Sequence, residues 1–431
     1  MFLNNFKFVS YSAVRDAILV YQFTNRKGII ALKKYSGLIL ASLALLLLGA
    51  VQACAGDAGS NLRQVEQYNF SIHIMAMLLV GFGFLMVFVR NYGYSATTGT
   101  YLVVAVGLPL YMLFRSMGII CAEPVSADSI NALLLAEFAC AAVLIAMGAV
   151  LGRLRIYQYA ILAALVVPLY MLNEALVLDG GLGITKGFTD AAGSIVIHAF
   201  GAYFGLGLTV ALTSGVQRKI AVESDPTSDR FSMLGSMVLW MFWPSFCSAV
   251  VPSEQMPHTV INTILALCGA TLITYILSSI LRKGQPSIAD MANAALAGGV
   301  AIGATCNVAS PQVAFGIGLL AGAICVIGYV AIQPRLQALL KGVDTCGVHN
   351  LHGMPGLVGG IIAIFVVPGI AKAQVTGIAV TVAIAFIGGL IGGFIIKATG
   401  SKRFAYEDSD EFGGEELDLS DLGSPEIQTT K

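Results

Sequence analysis

The sequence predicts an all-α integral membrane protein, and three observations carry that reading. Of 431 residues, 57% are hydrophobic and only 11% are charged, where an ordinary soluble domain has roughly 25% charged residues. The mean hydropathy is +0.82. Apolar stretches of about twenty residues, enough for a helix to cross a ~30 Å hydrocarbon core, recur along almost the whole chain. So few charges cannot cover a water-soluble surface of this size. Disorder, nucleic-acid binding and a disulfide-stapled secreted scaffold fit the composition equally poorly.

Residues 1–56 come first. Arg26, Lys27, Lys33 and Lys34 precede the apolar run Gly37–Ala50, and the small residues Ala53, Cys54, Ala55 and Gly56 follow. Basic, apolar and small in that order match a secretory signal peptide. The long aromatic stretch before it suits an uncleaved extra helix instead; cleavage is the preferred reading. Val51-Gln52-Ala53-Cys54 is a poor lipoprotein-type match.

A membrane domain is then expected over residues 57–400. The twenty-residue rule places about eleven spans, near 70–89, 96–114, 129–152, 156–178, 190–214, 231–250, 258–281, 288–306, 312–332, 344–367 and 376–399. Basic residues follow the odd-numbered spans: Arg90, Arg153 with Arg155, Arg218 with Lys219, Arg282 with Lys283, Arg335 with Lys341, and Lys402 with Arg403. The other connections are poorer in Lys and Arg, with Arg115 and Lys186 as exceptions. The positive-inside rule therefore starts the first span outside and ends the chain in the cytoplasm, as an odd number of spans requires. The expected location is the plasma membrane, which in a bacterial cell is the inner membrane.

Residues 401–431 form an acidic tail. From Ser401 onward nine acidic residues stand against Lys402, Arg403 and Lys431, so a net charge of zero divides into a body of +6 and a tail of −6. The tail has no apolar periodicity and reads as a solvated cytoplasmic extension.

The fifth and tenth spans share a pattern that composition alone does not produce. Asp190-Ala-Ala-Gly193-Ser-Ile-Val-Ile-His198 and Asp344-Thr-Cys-Gly347-Val-His349-Asn-Leu-His352 both read Asp-x-x-Gly-x-x-x-x-His. By the span count the first enters from outside and the second from inside. Spans one to five and six to ten then form two five-helix repeats of inverted topology around a central pore, an arrangement typical of transporters.

Helix geometry gives that pattern a function. Eight residues at 1.5 Å each put Asp and His ~12 Å apart along the axis. If each Asp sits near its own membrane face, a ~30 Å core leaves ~6 Å between the two imidazoles. Intramembrane ionisable residues are expensive and usually functional, which makes His198 and His352 the leading candidates. Asp190 and Asp344 are placed to cap their helices; capping is the simpler role, direct ligand contact the alternative.

The remaining polar and small residues have quieter readings. His73 and His258 lie near span starts, as interfacial or packing residues. His349 and His352 are spaced as a possible metal pair, but only Cys346 and Asp344 lie nearby as further ligands, and no metal or other cofactor is implied. Cys140, Cys247, Cys268 and Cys325 fall inside apolar runs and read as small buried hydrophobes. Gly81, Gly83, Gly298, Gly299, Gly359, Gly360, Gly388, Gly389, Gly392 and Gly393 lie within spans, where small residues let helices approach closely. No phosphate-binding Gly-rich loop is visible, which disfavours an ATP-driven pump.

At these motifs the chain also becomes recognisable. Asp344-Thr-Cys-Gly-Val-His-Asn-Leu-His-Gly-Met-Pro-Gly356, Ile197-His-Ala-Phe-Gly-Ala-Tyr-Phe-Gly-Leu206, Leu239-Trp-Met-Phe-Trp-Pro-Ser-Phe246 and Asn293-Ala-Ala-Leu-Ala-Gly-Gly-Val300 closely resemble the Rhesus (Rh) branch of the ammonium transporter family. The likeness runs from about residue 70 to residue 400. It implies a homotrimer in the lipid bilayer, each protomer of eleven or twelve helices enclosing its own pore. Conduction of ammonia or ammonium past paired histidines is implied too, with carbon dioxide as a proposed second gas.

Residue by residue, the pore pair resembles His198 and His352; the Gly353-Met-Pro-Gly356 run selects His352 over His349. A stacked phenylalanine gate is implied at Phe138 and Phe246, where the residues alone suggest ordinary helix packing. Glu174, after Asn173, resembles an acidic residue of the outer vestibule; alone, it reads equally well as a snorkelling interfacial acid. The ammonium-transporter branch roofs an outer cation site with Trp, but the only tryptophans here, Trp240 and Trp243, lie on the sixth span.

Three functions are therefore in contention. The first is a channel, not an enzyme, passing ammonia down its gradient. Others are an ion- or proton-coupled transporter that uses the histidines as a relay, and an intramembrane metalloenzyme built on His349 and His352.

Overall fold

The computed structural model describes residues 61–120, 124–178, 180–401 and 404–413, and every regular element among them is helical. The N-terminal signal or extra helix expected over residues 1–56 lies outside the described residues, as does the tail beyond residue 413.

Nine helices among the described residues are long and apolar enough to cross a membrane. They are α1 (Arg63–Phe88), α2 (Arg90–Ser116), α3 (Ile130–Ala149), α4 (Ile156–Val177), α5 (Ser194–Leu212), α7 (Ser253–Leu281), α9 (Pro311–Leu340), α10 (His349–Val366) and α11 (Ala371–Ala398). Between them lie α6 (Pro226–Ser248), which opens on charged residues, and the shorter apolar helix α8 (Ile288–Ile302). Both occupy expected span positions without meeting the same length and polarity criteria.

Among the boundaries that differ from the sequence reading, two do so for one reason. The fifth and tenth spans were expected from residues 190 and 344, yet α5 and α10 begin at Ser194 and His349. The residues between are loops that reach into the bundle before any helix starts. Gly193 and Gly347 make that entry possible, with φ of +76° and +71°, a region that costs a residue with a Cβ dearly.

Glycines set the helix spacing elsewhere. A Cβ on Gly389 of α11 would collide with the Phe204 carbonyl of α5, and one on Gly207 of α5 with the Phe386 carbonyl of α11. Gly298 of α8 and Gly318 of α9 both close on the Ala266 carbonyl of α7. Such backbone approach supplies contact where water provides no drive for association.

The first part of the acidic tail is docked, which corrects the expectation of a wholly solvated extension. Tyr406 is buried, and its N–H donates to the Gly152 carbonyl at 2.9 Å. Asp408 accepts from the Tyr94 and Ser95 amides at 2.7 and 2.8 Å and from Ser95 Oγ at 2.7 Å. Its charge meets the free N–H groups and positive dipole end of α2. An acid read only as solvated is here a helix cap.

Candidate pore

The two motifs are built alike, from the carboxylate upward. Asp190 Oδ2 accepts from the Ile195 and Val196 amides at 2.9 and 2.8 Å. Asp344 Oδ1 and Oδ2 accept from the Val348 and His349 amides at 2.9 and 3.0 Å. Each acid thus satisfies N–H groups that a helix starting inside the bundle would otherwise leave bare. Both histidines lie on a wide π-helical turn, His198 in Ser194–Ala199 and His352 in His349–Gly353. Such turns displace side chains from their α-helical direction and recur at functional sites.

These elements bring His198 and His352 together. Their Nδ1 atoms are 3.2 Å apart, with ring centroids 5.3 Å apart and planes 11° from parallel. Both side chains are buried, and His198 Nε2 has no protein partner. Two further rings flank the pair. Trp243 stacks on His198 at 5.6 Å and 24°, and Phe82 on His352 at 6.2 Å and 24°. Neither flanking ring was assigned a place here from the sequence.

Phe138 and Phe246 meet with centroids 4.7 Å apart at 78°, edge to face. The resemblance implied a stacked gate, and the edge-to-face arrangement found places positive ring edge on negative ring face. Phe246 lies 6.0 Å from the His198 ring.

Cavities continue this line on both sides. The one beside the phenylalanine pair, of about 370 Å³, is lined by Phe138, Tyr170, Glu174, Asp190, Val196 and Asn307. Glu174 does not snorkel to the surface; it is buried and accepts from Tyr111 Oη at 2.7 Å and Tyr170 Oη at 3.2 Å. Below the histidines a pocket of about 20 Å³ is lined by Phe82, Phe88, Asn293, Leu351 and His352, room for about one water-sized molecule. Phe88 and Asn293 also line a further cavity of about 310 Å³.

The other polar candidates lie elsewhere. His349 turns edge-on to Tyr203, centroids 5.7 Å apart, and among the described residues no group of three or more His, Cys, Asp or Glu is arranged to hold a metal ion. His73 bonds Ser245, and His258 bonds the Ala309 carbonyl. Cys140, Cys247 and Cys325 are buried free thiols, and Cys268 is partly exposed.

Comparisons with known proteins agree with this geometry. A family model described as the Ammonium Transporter Family matches residues 38–416. Ammonium transporter Rh type B of Danio rerio is 36% identical over 396 residues, spanning 83% of this chain and 84% of that protein. The Oryctolagus cuniculus Rh type B protein is 38% identical over 355 residues, 75% of this chain and 76% of its own length. The solved structure of Nitrosomonas europaea Rh50, described with the mechanism of conduction by the Rhesus family of channels, is 64% identical. It superposes with a TM-score of 0.81 and covers 84% of this chain and 96% of its own. A likeness that extends along nearly the whole membrane domain, at these identities, places the chain in the ammonium transporter family, in its Rh branch.

Proposed function

We propose that this multi-pass membrane protein is an Rh-type channel in which ammonium is gathered at the outer mouth and neutral ammonia passes between His198 and His352. The observation that carries the reading is the 3.2 Å contact between the two buried Nδ1 atoms. Whichever ring donates there, the other accepts, so the two Nε2 atoms differ: one bears a proton and the other a lone pair. Ammonia, with one lone pair and three N–H groups, can bond to both kinds of site. Two neutral rings also avoid the repulsion of adjacent imidazolium charges.

Energetics separates ammonia from ions. Below the gate the lining is apolar apart from the imidazoles, Asn293 and the weakly polar Cys346 thiol. K⁺ would surrender its water shell for almost nothing there, which is prohibitive. Ammonium releases a proton and crosses as NH₃ at much lower desolvation cost. Glu174 and Asp190, both lining the cavity beside the phenylalanine pair, draw cations to the mouth. Phe138 and Phe246 form the gate that excludes water, and Asp190 and Asp344 hold the histidine-bearing turns.

The finer features belong to the same proposal. Three copies assemble in the plasma membrane, the N-terminus outside and the acidic tail in the cytoplasm. Carbon dioxide, neutral and small, is a second gas that the conduit admits. Stopped-flow pH measurement on proteoliposomes, with electrical recording on the same preparation, tests the central part. Ammonia flux without steady current is expected; a steady current proportional to flux would instead support the ion-coupled transporter.

A further inference from the structure

Two hydrogen bonds tie the helices of the gate to α1, and the proposed function leaves them without a role. Ser71 Oγ donates to Glu137 Oε1 at 2.6 Å, with both side chains buried. Two residues further along α1, His73 Nδ1 lies 2.9 Å from Ser245 Oγ, and its ring stacks on Phe242 at 4.7 Å and 19°. Glu137 immediately precedes Phe138, and Ser245 immediately precedes Phe246. A single Ser-x-His step thus reaches the residue before each gate phenylalanine.

Each bond acts where its helix lacks another means of fixing the ring's direction. Between Ala132 and Ala149, Glu137 is the only strongly polar residue of α3. A helix apolar on every side can settle in several rotational settings of similar energy. One buried carboxyl bonded to a neighbouring helix selects among them, because breaking that bond inside the bundle is costly. At 3.6 residues per turn, fixing Glu137 fixes the direction of Phe138. The weakness of α6 is different. Pro244 lies inside the helix and has no N–H for the carbonyl four residues back, so the turn carrying Phe246 is loosened. His73 grips that turn from both sides of the proline, through Phe242 and Ser245.

We infer that Ser71, Glu137, His73 and Ser245 are positioning residues for the outer gate, holding Phe138 and Phe246 edge to face and thereby setting the size selectivity of the pore. The inference rests on the gate reading of Phe138 and Phe246.

The test uses the full-length protein in liposomes and reads the ratio of methylamine to ammonia permeability. A merely structural loss lowers both fluxes and leaves their ratio unchanged. Ser71→Ala and Ser245→Ala each delete one bond with minimal change in volume. Each is expected to raise the ratio about fivefold, the population shift that follows loss of one hydrogen bond. Glu137→Gln, which keeps an acceptor for Ser71, is expected to remain within about twofold of the parent protein, whereas Glu137→Leu is expected to follow Ser71→Ala. Phe138→Ala and Phe246→Ala run in parallel. If they raise the ratio and the serine variants do not, the positioning role is overturned and the gate stands. If the phenylalanine variants leave the ratio unchanged, the gate reading fails and takes the inference with it.

Discussion

Asp190 and Asp344 stand in the same relation to their histidines from opposite ends of the bundle. Each carboxylate accepts backbone N–H groups two to four residues before its histidine, at 2.8–3.0 Å. The acid, the left-handed glycine and the π-turn form one device used twice, with the two imidazoles meeting at its ends.

That device predicts a graded response to loss of a carboxylate. Replacing an N-capping acid by Ala costs ~1 kcal/mol, up to ~2, and here the freed amides are also buried. Asp344→Ala is expected to lower both the thermal midpoint in detergent and ammonia flux. Asp344→Asn, which retains one acceptor oxygen, should fall between Ala and the parent. Equal behaviour of Asn and Ala in both assays would argue against the two-oxygen cap.

Helix contact through glycine predicts a strong difference between two otherwise similar substitutions. A Cβ at Gly389 meets the Phe204 backbone, whereas one at Gly316 meets nothing within 4 Å. Overpacking costs ~1–3 kcal/mol. Gly389→Ala should lower the thermal midpoint by several degrees, and Gly316→Ala should leave it unchanged or raise it, since Ala favours a helix interior over Gly. A thermal-shift series on the two variants checks this.

The docked tail predicts local protection. With Asp408 in place, the Tyr94 and Ser95 amides are bonded at 2.7 and 2.8 Å. Charge-assisted bonds of this kind contribute ~1.5–3 kcal/mol. In Asp408→Ala, hydrogen exchange at those two amides should quicken by about tenfold or more, while amides deep in α3 keep their rates. Unchanged exchange at residues 94 and 95 would show that the cap does not protect them.

Much of this architecture was legible because lipid leaves few options. A backbone in hydrocarbon must satisfy its own hydrogen bonds, so apolar stretches of about twenty residues become helices, and each expected span overlaps an observed helix, with ends that differ by up to eight residues. The paired histidines were legible too, since ionisable groups at that depth are too costly to be incidental. What was missed depends on local wrapping and on contacts between distant segments. Nothing in Gly81-Phe82-Gly83 announces that Phe82 will stack on His352, because the Met77–Phe82 π-turn of α1 has no sequence signature. For Trp243 the sequence signal is its three-residue spacing from Phe246, which puts both rings on one face of α6. The tail was misread between Phe404 and Gly413 because acidic residues that cap helices and acidic residues in solvent have the same composition.

The most direct test of the central claim compares ammonia flux through three single-histidine variants in proteoliposomes, by stopped-flow pH. His198→Ala and His352→Ala each break the 3.2 Å contact that defines the pore pair, whereas His349→Ala removes a ring that faces Tyr203. Flux is expected to change by about tenfold or more in the first two, the effect of a ~1.4 kcal/mol barrier change, and by less than about twofold in the third. Equal flux in all three variants would contradict passage of ammonia between His198 and His352.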